Sequence, residues 1–369
     1  AGGAPAPGAP PAPDDDAAGA AGQPIAAPRA ALLPAALDLT AGGCPYMWPH
    51  CAQPLFPGSA PAIVNVTVFN LGGVKGAITS IAWAPGPGGE LLAVAASLPD
   101  RFWPWAAGLG VHVRVVDDPA AAAAVAGLSD VPTVASGVLR LTIAAVVEGT
   151  ASTVELPVRA DVVAPPPRER RLLWDTFHSL RYPPAYVPRD SLAETKDMLD
   201  WLGDHPHTNY QALFRHLRGA GYYIDVWSQP ATCLPADVAA RYGALLVMDA
   251  EDYFSTAEVS AITAAVHDGG LALIVVAEWY SRPLMRDVRF EDDNTRSWWT
   301  PVIGGGNVPA LNELLRPHGM ALGDTVLSGE VAAPPYQRYG FMSGAPIVRV
   351  DLGGEALRAR GLRPHLPRR

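Results

Sequence analysis

The sequence predicts two folded domains of different class, an antiparallel β-sandwich followed by an open, doubly wound α/β domain of Rossmann or flavodoxin type. Three observations carry this. Between residues 36 and 164 the chain is a series of short β-prone runs broken by Gly and Pro, with no strong helix between them. From 168 to 330, strand-like and helix-like runs alternate. Between the two stands Pro165-Pro166-Pro167, which favours extended polyproline II and reads as a semi-rigid spacer. A length of 369 residues also exceeds one typical domain.

Taken in order, residues 1–35 are mostly Ala, Gly and Pro with one acidic cluster, Asp14-Asp15-Asp16. No apolar face recurs there, so a linker or disordered arm is expected. Ile63 to Phe69 alternates apolar and polar residues and ends at the turn signal Asn70-Leu71-Gly72-Gly73. Further strands are expected over Lys75–Ala82, Leu91–Ala96, Gly110–Val116, Gly137–Val146 and Ser152–Val163, with Ala120–Leu128 as an Ala-rich loop. Trp83, Phe102, Trp103 and Trp105 fit core and sandwich-edge aromatics better than a ligand platform.

The second domain opens on Leu172-Leu173-Trp174, an apolar burst that breaks at Asp175. Tyr210, Leu213 and Leu217 then fall at helical spacing, and Tyr222–Trp227 reads as a second strand. Together they make a βαβ unit, the start of a parallel sheet. Gly243–Met248 is the next strand. An amphipathic helix follows over Thr256–His267, with Glu258 in its first turn and Gly269-Gly270 as its stop. Leu271–Ala277 is wholly apolar, as a strand buried on both faces requires. Asn307–Leu315 reads as a helix with Gly319 after it, and 331–369 as a C-terminal extension or the start of a further domain.

Composition narrows the function classes. A net charge of −9 with no long Lys/Arg cluster argues against nucleic-acid binding, and the basic residues Arg358 to Arg369 read as a solvated end. No apolar run approaches the ~18 residues of a membrane span. The first residue is Ala1, which reads as a processed end or the edge of a fragment. Cys44 and Cys51 bracket a tight loop that either a disulfide or, with His50, a zinc ion could close. Zinc lacks a second ligand pair at finger spacing, so a disulfide in an oxidising compartment is the favoured reading. Asn65-Val66-Thr67 is a glycosylation acceptor pattern that fits such a compartment.

Cofactor and nucleophile motifs fail one by one. Gly304-Gly305-Gly306 follows no strand and lacks dinucleotide spacing, and there is no phosphate-loop lysine or Gly-x-Ser-x-Gly elbow. An amidotransferase-like site needs a Cys at a strand-to-helix elbow. The matching position holds Glu278, while Cys233 lies in a Pro-flanked loop. In Asp204-His205-Pro206-His207 the proline prevents helical pairing of the imidazoles, and capping of the next helix by Asp204 or Thr208 is expected instead of metal binding. Ligands of such sheets gather at the carboxyl ends of the strands. Asp175, His178 and Glu278 are therefore the candidate pocket rim, with Asp175 and His178 spaced for an acid/base pair that lacks a nucleophile. No cofactor and no metal is expected.

Several long strings are too particular for chance: Leu37-Asp38-Leu39-Thr40, Cys44-Pro45-Tyr46-Met47-Trp48-Pro49-His50-Cys51, Leu173-Trp174-Asp175, Leu180-Arg181-Tyr182-Pro183-Pro184 and Trp298-Trp299, closing with Pro309 to Leu315. In this order they resemble the site-1 protease family, membrane-anchored convertases of subtilisin/kexin type that process membrane-tethered transcription factors. The resemblance implies a luminal region between protease domain and membrane anchor, in the Golgi or ER, and supports the Cys44–Cys51 bridge. The family's triad lies upstream of Leu37, so no catalytic residue carries over. The expectation is a non-catalytic scaffold or docking module, partnered by an upstream subtilisin-like domain and by a membrane-anchored protein. Pro45–Trp48 and Trp298-Trp299 are the candidate contacts. The alternative is an independent α/β enzyme or sugar-binding protein using the strand-end pocket.

Overall fold

The structure, a computed structural model, describes residues 28–71, 75–97, 106–116, 131–145, 150–179, 205–207, 210–277, 290–299, 307–333, 337–341, 344–351 and 363–364. The chain forms two compact units. One holds the residues up to Pro57 together with Pro61–Val163, the other Gly58–Ala60 and the residues from Ala164 onward.

The first unit is a sandwich of eight described strands: β1 Ala30–Leu33, β2 Leu37–Leu39, β3 Ala62–Asn70, β4 Gly76–Pro85, β5 Leu92–Ser97, β6 Ala106–Val115, β7 Thr133–Ala145 and β8 Ala151–Val162. They form two four-stranded sheets, ordered β1-β3-β6-β5 and β2-β8-β7-β4. The period-2 alternation decides which side chains meet in the middle. Val64, Val66 and Val68 of β3 point inward with Leu109, Val111 and Val113 of β6. Leu139, Leu141 and Ile143 of β7 and Leu156, Val158 and Ala160 of β8 close the core from the other side. Each such aliphatic side chain contributes about 1.5–3 kcal/mol by leaving water.

Two features depart from the expectation. Ala30–Leu33, inside the stretch expected as a linker, pairs antiparallel with β3 in the register Ala30↔Asn70 to Leu33↔Thr67. The pairing supplies from another strand what its local composition lacks. The sandwich is also not wholly antiparallel, because Leu37–Leu39 runs parallel to β8. β1 and β2 lie in different sheets, so the few residues between them carry the chain from one sheet to the other.

Of the expected aromatic group, Trp83 packs against the core and donates from Nε1 to the Gly89 carbonyl at 3.2 Å. Phe102, Trp103 and Trp105 lie outside the described residues. Gly137 on the neighbouring strand makes room for this indole. A Cβ there would run into the Trp83 ring and come within 2.6 Å of the Ala84 carbonyl oxygen.

The second unit is built on an all-parallel sheet. Its strands are β9 Arg171–Asp175, β10 Tyr223–Trp227, β11 Ala244–Met248 and β12 Ala272–Val276, in the order β10-β9-β11-β12. Their connections carry the helices α1 Gln211–Gly219, α2 Val238–Arg241 and α3 Thr256–His267, and α4 Val308–Leu315 follows. β9 and β11 are buried along their whole length, as central parallel strands are. β12 differs from its all-apolar reading. Among the described residues it is an edge strand, and Ile274 and Val276 on one face are 45% and 41% exposed. Apolarity along a strand reports its β propensity, whereas burial of both faces depends on what packs over them.

α2, α3 and α4 cover the face of the sheet that carries Leu173, Leu245 and Val247. α1 has Phe214 buried, and Tyr210 just before it packs on the buried Trp174 at 5.5 Å. At the amino end of β9, Arg171 lies 3.7 Å from the Asp225 carboxylate, which also accepts from the Tyr242 hydroxyl at 2.8 Å, and its guanidinium donates to the Gly58 carbonyl. Later residues form the hairpin Phe290–Asp292/Ser297–Trp299, the pair Met320–Leu322/Ile347–Val350, and Leu327–Ala333 flanked by Gln337–Phe341 and Arg363–Pro364. Leu327–Ala333 thus crosses residue 330, and its partners come from the segment expected as an extension.

Candidate functional site

The strand order β10-β9-β11-β12 is sequence order 2-1-3-4. The topological switch point of such a sheet lies between strands 1 and 3, and open α/β folds take their ligands there, at the carboxyl ends. Asp175 is the last residue of β9 and Asp249 follows β11, so both stand at this point. Asp249 is buried with φ +49°, a left-handed conformation uncommon outside glycine, and its N–H donates to the Val276 carbonyl of β12 at 2.7 Å.

Asp175 organises the turn after β9. One carboxylate oxygen accepts from the Phe177 N–H at 3.0 Å, and the other accepts from His178 Nδ1 at 2.6 Å. The backbone of the same histidine ties down the loop after β11, its carbonyl accepting from the Glu251 and Asp252 N–H groups at 3.0 Å each. Its ring stacks on Phe254 at 3.8 Å and meets Phe177 edge-on at 5.1 Å. On the far side of the ring, Nε2 lies 3.3 Å from Glu258 Oε1.

Glu258 is held from three directions. Ser255 is the N-cap of α3, and the two residues form a capping box: the Glu258 N–H donates to Ser255 Oγ at 3.3 Å and the Ser255 N–H to Glu258 Oε2 at 2.8 Å. The Ala231 N–H reaches Oε1 at 3.1 Å. Burial pushes this carboxyl upward, but the hydrogen bonds from Ser255 and Ala231 and the nearby His178 outweigh it and hold it below its usual range. Asn307 completes the cluster. Its side chain donates to the Glu251 carbonyl at 2.9 Å and accepts from the Ala310 N–H, capping α4.

The arrangement is closed. His178 is 1%, Glu258 5% and Asp175 7% exposed. The structure brings the expected acid/base pair together, yet beneath the surface rather than on a pocket rim. Glu278 lies outside the described residues. Among the described residues no nucleophile points at the imidazole and no group of His, Cys, Asp and Glu is placed to hold a metal. Sequence reading missed Glu258 as the third member. The pattern Ser255-x-x-Glu258 signals the capping box, but its reach to His178, 80 positions earlier, is not a local property.

The remaining candidates are placed as follows. Cys44 and Cys51 are bonded, with Cα atoms 5.5 Å apart, so their zinc alternative falls away. Within the loop Met47 is buried and Tyr46 is exposed. Asn65 projects from the outer face of β3. Cys233 is a free thiol in an exposed turn. His205 and His207 pack edge-on at 4.9 Å, and His207 rests on Phe214. Burial lowers the pKa of His205 to about 4. Tyr210 holds the N-cap position of α1 without a side-chain capping bond, and the residues expected to cap it, Asp204 and Thr208, lie outside the described residues. Trp298 is exposed on its hairpin.

Comparison with known sequences agrees with this geometry. Residues 33–165 match the family described as "MBTPS1, third Ig-like domain", and residues 166–363 match "MBTPS1, fourth GATase-like domain". The chain belongs to the site-1 protease family. It is 42% identical over 333 residues to subtilisin-like protease SBT6.1 of Arabidopsis thaliana, covering 89% of this chain and 31% of that protein. It is 42% and 39% identical over 337 residues to the membrane-bound transcription factor site-1 proteases of Rattus norvegicus and Homo sapiens, covering 89% of this chain and 30% of each. The chain therefore spans about a third of the length of these relatives. No helix among the described residues is long and apolar enough to cross a membrane.

Proposed function

We propose that this chain is a non-catalytic, luminal module of a site-1-protease-like serine endopeptidase, acting as a scaffold for a subtilisin-like domain and as a docking surface for a membrane-anchored partner. One observation carries the reading. The acid/base cluster at the switch point, Asp175-His178-Glu258, is sealed, with its carboxylates saturated by the chain's own donors. A general base must reach the proton it removes, and a base with 1% exposure reaches only its neighbours. The same burial speaks against an independent enzyme using Asp175 and His178.

Support for a secretory location comes from the sandwich. The Cys44–Cys51 bond belongs to an oxidising compartment. Asn65 stands outward with Thr67 on the same face of the strand, so the acceptor pattern is open to a glycan. Exposed Tyr46 and Trp298 are the side chains offered to partners.

The direct test is incubation of the purified chain with a peptide bearing an Arg-x-x-Leu site. No cleavage is expected, and turnover abolished by a serine-directed inhibitor overturns the reading. Expression in a secretory host tests the location: a mass loss on glycosidase treatment, absent in Asn65→Gln, is expected, and its absence from the native chain removes the glycan from the proposal.

A further inference from the structure

The donors at the head of α3 converge on a single carboxylate, and a capping box requires only some of them. The reciprocal pair between Ser255 and Glu258 completes the box by itself. Two further groups point at the same carboxylate from other parts of the chain: the Ala231 N–H, in the turn after β10, and His178 Nε2, in the turn after β9. That ring nitrogen is fully buried and, although 3.3 Å from Glu258 Oε1, makes no hydrogen bond among the described residues. Two backbone donors, from Ser255 and Ala231, and one unpaired ring nitrogen thus surround a single anionic group at the carboxyl ends of the strands. A helix N-terminus of twelve residues adds its positive end.

We infer that this cradle is a carboxylate-binding site of the α/β unit, and that its occupant in this chain is the side chain of Glu258. The ligand class is the small monocarboxylate, formate or acetate, whose two oxygens can take the places of Oε1 and Oε2. The unit keeps the ligand position of its fold and fills it from within, so the position is hidden until Glu258 is removed. The inference is independent of the scaffold reading: its failure leaves the peptide-cleavage result unchanged, and cleavage activity would not refute it.

The test is thermal unfolding of the full chain carrying Glu258→Ala at neutral pH, in sodium acetate and in sodium chloride of equal ionic strength. The variant is expected to unfold below the native chain in chloride, and acetate is expected to raise its midpoint saturably while leaving the native chain unmoved. Glu258→Gln, which keeps the volume and one acceptor oxygen, is expected to show no acetate response. Adding His178→Leu to Glu258→Ala is expected to weaken the response about tenfold in half-maximal concentration, the loss of one polar group lining the cradle. If Glu258→Ala does not refold in chloride, its refolding yield in acetate against chloride is the readout, and equal yields overturn the inference. A linear or absent acetate effect, an equal effect of chloride, or an equal response in the native chain or Glu258→Gln also overturns it.

Discussion

Replacing His178 with Ala separates a structural cluster from a catalytic one. The ring is 1% exposed, stacked on Phe254 and edged by Phe177, so its removal leaves a cavity between aromatic groups. Large-to-small changes in such surroundings cost about 2–5 kcal/mol. The same change strips Asp175 of its 2.6 Å donor and leaves a buried carboxylate oxygen unpaired, which costs a further 1–3 kcal/mol or so. Relaxation and water entry make the two overlap, and a total of about 4 kcal/mol is expected. For a unit of this size each kcal/mol moves the midpoint by roughly 2–4 °C, so the transition of the α/β unit should fall by about 8–16 °C. Circular dichroism melts of the full chain read this, with the sandwich transition as an internal reference. Asp175→Ala should couple to it: the double variant should cost at least about 1 kcal/mol less than the sum of the singles. A midpoint drop under about 3 °C, or strict additivity, refutes the claim that this dyad holds the two loops together.

Three further outcomes follow from the same structure. Gly137→Ala forces a methyl group into the Trp83 ring and the Ala84 carbonyl, and should destabilise the sandwich by about 1–3 kcal/mol in urea unfolding while Gly137→Ser fares no better; a neutral result contradicts the packing. Cys44→Ser opens the loop spanning seven positions to Cys51 and should cost the sandwich about 2–3 kcal/mol, an effect that a reducing agent reproduces in the native chain and does not enlarge in the variant. Burial raises the Asp225 carboxyl above its ordinary value of 3.8, the bonds from Tyr242 and Arg171 offsetting this only in part. A raised acid contributes stability that is full below the unfolded value and is lost as pH rises through the folded one. Compared with Asp225→Asn, the native chain should therefore lose ground as pH climbs from about 4, as read from urea midpoints, and a constant or opposite difference sinks the assignment.

The local half of this molecule was legible in the residues. Period-2 alternation in Ile63–Phe69 and its successors predicts half-buried strands, and the structure has a strand over each of these runs. The alternation of strand and helix after Pro167 predicts a parallel sheet, since parallel neighbours need a crossover between them. Asp175 and His178 are three residues apart on a turn, so their meeting depends only on short-range geometry. The long strings around Cys44 and Trp174 identify the family because they are too particular to recur by chance.

What packs against what lies beyond periodicity. Ala30–Leu33 has a linker's composition and becomes a strand because β3 offers it an edge. Leu271–Ala277 reads as buried on both sides and stands at the margin of its sheet among the described strands, because strand order is set by the crossovers and not by the apolarity of a segment. The strand-end carboxylates read as an open rim, since the sequence states which residues gather at the switch point but not what covers them. Folding brings Glu258 and Phe254 onto His178, and Ala231 onto Glu258, from distant positions. Those three contacts turn a candidate active site into a filled and buried one.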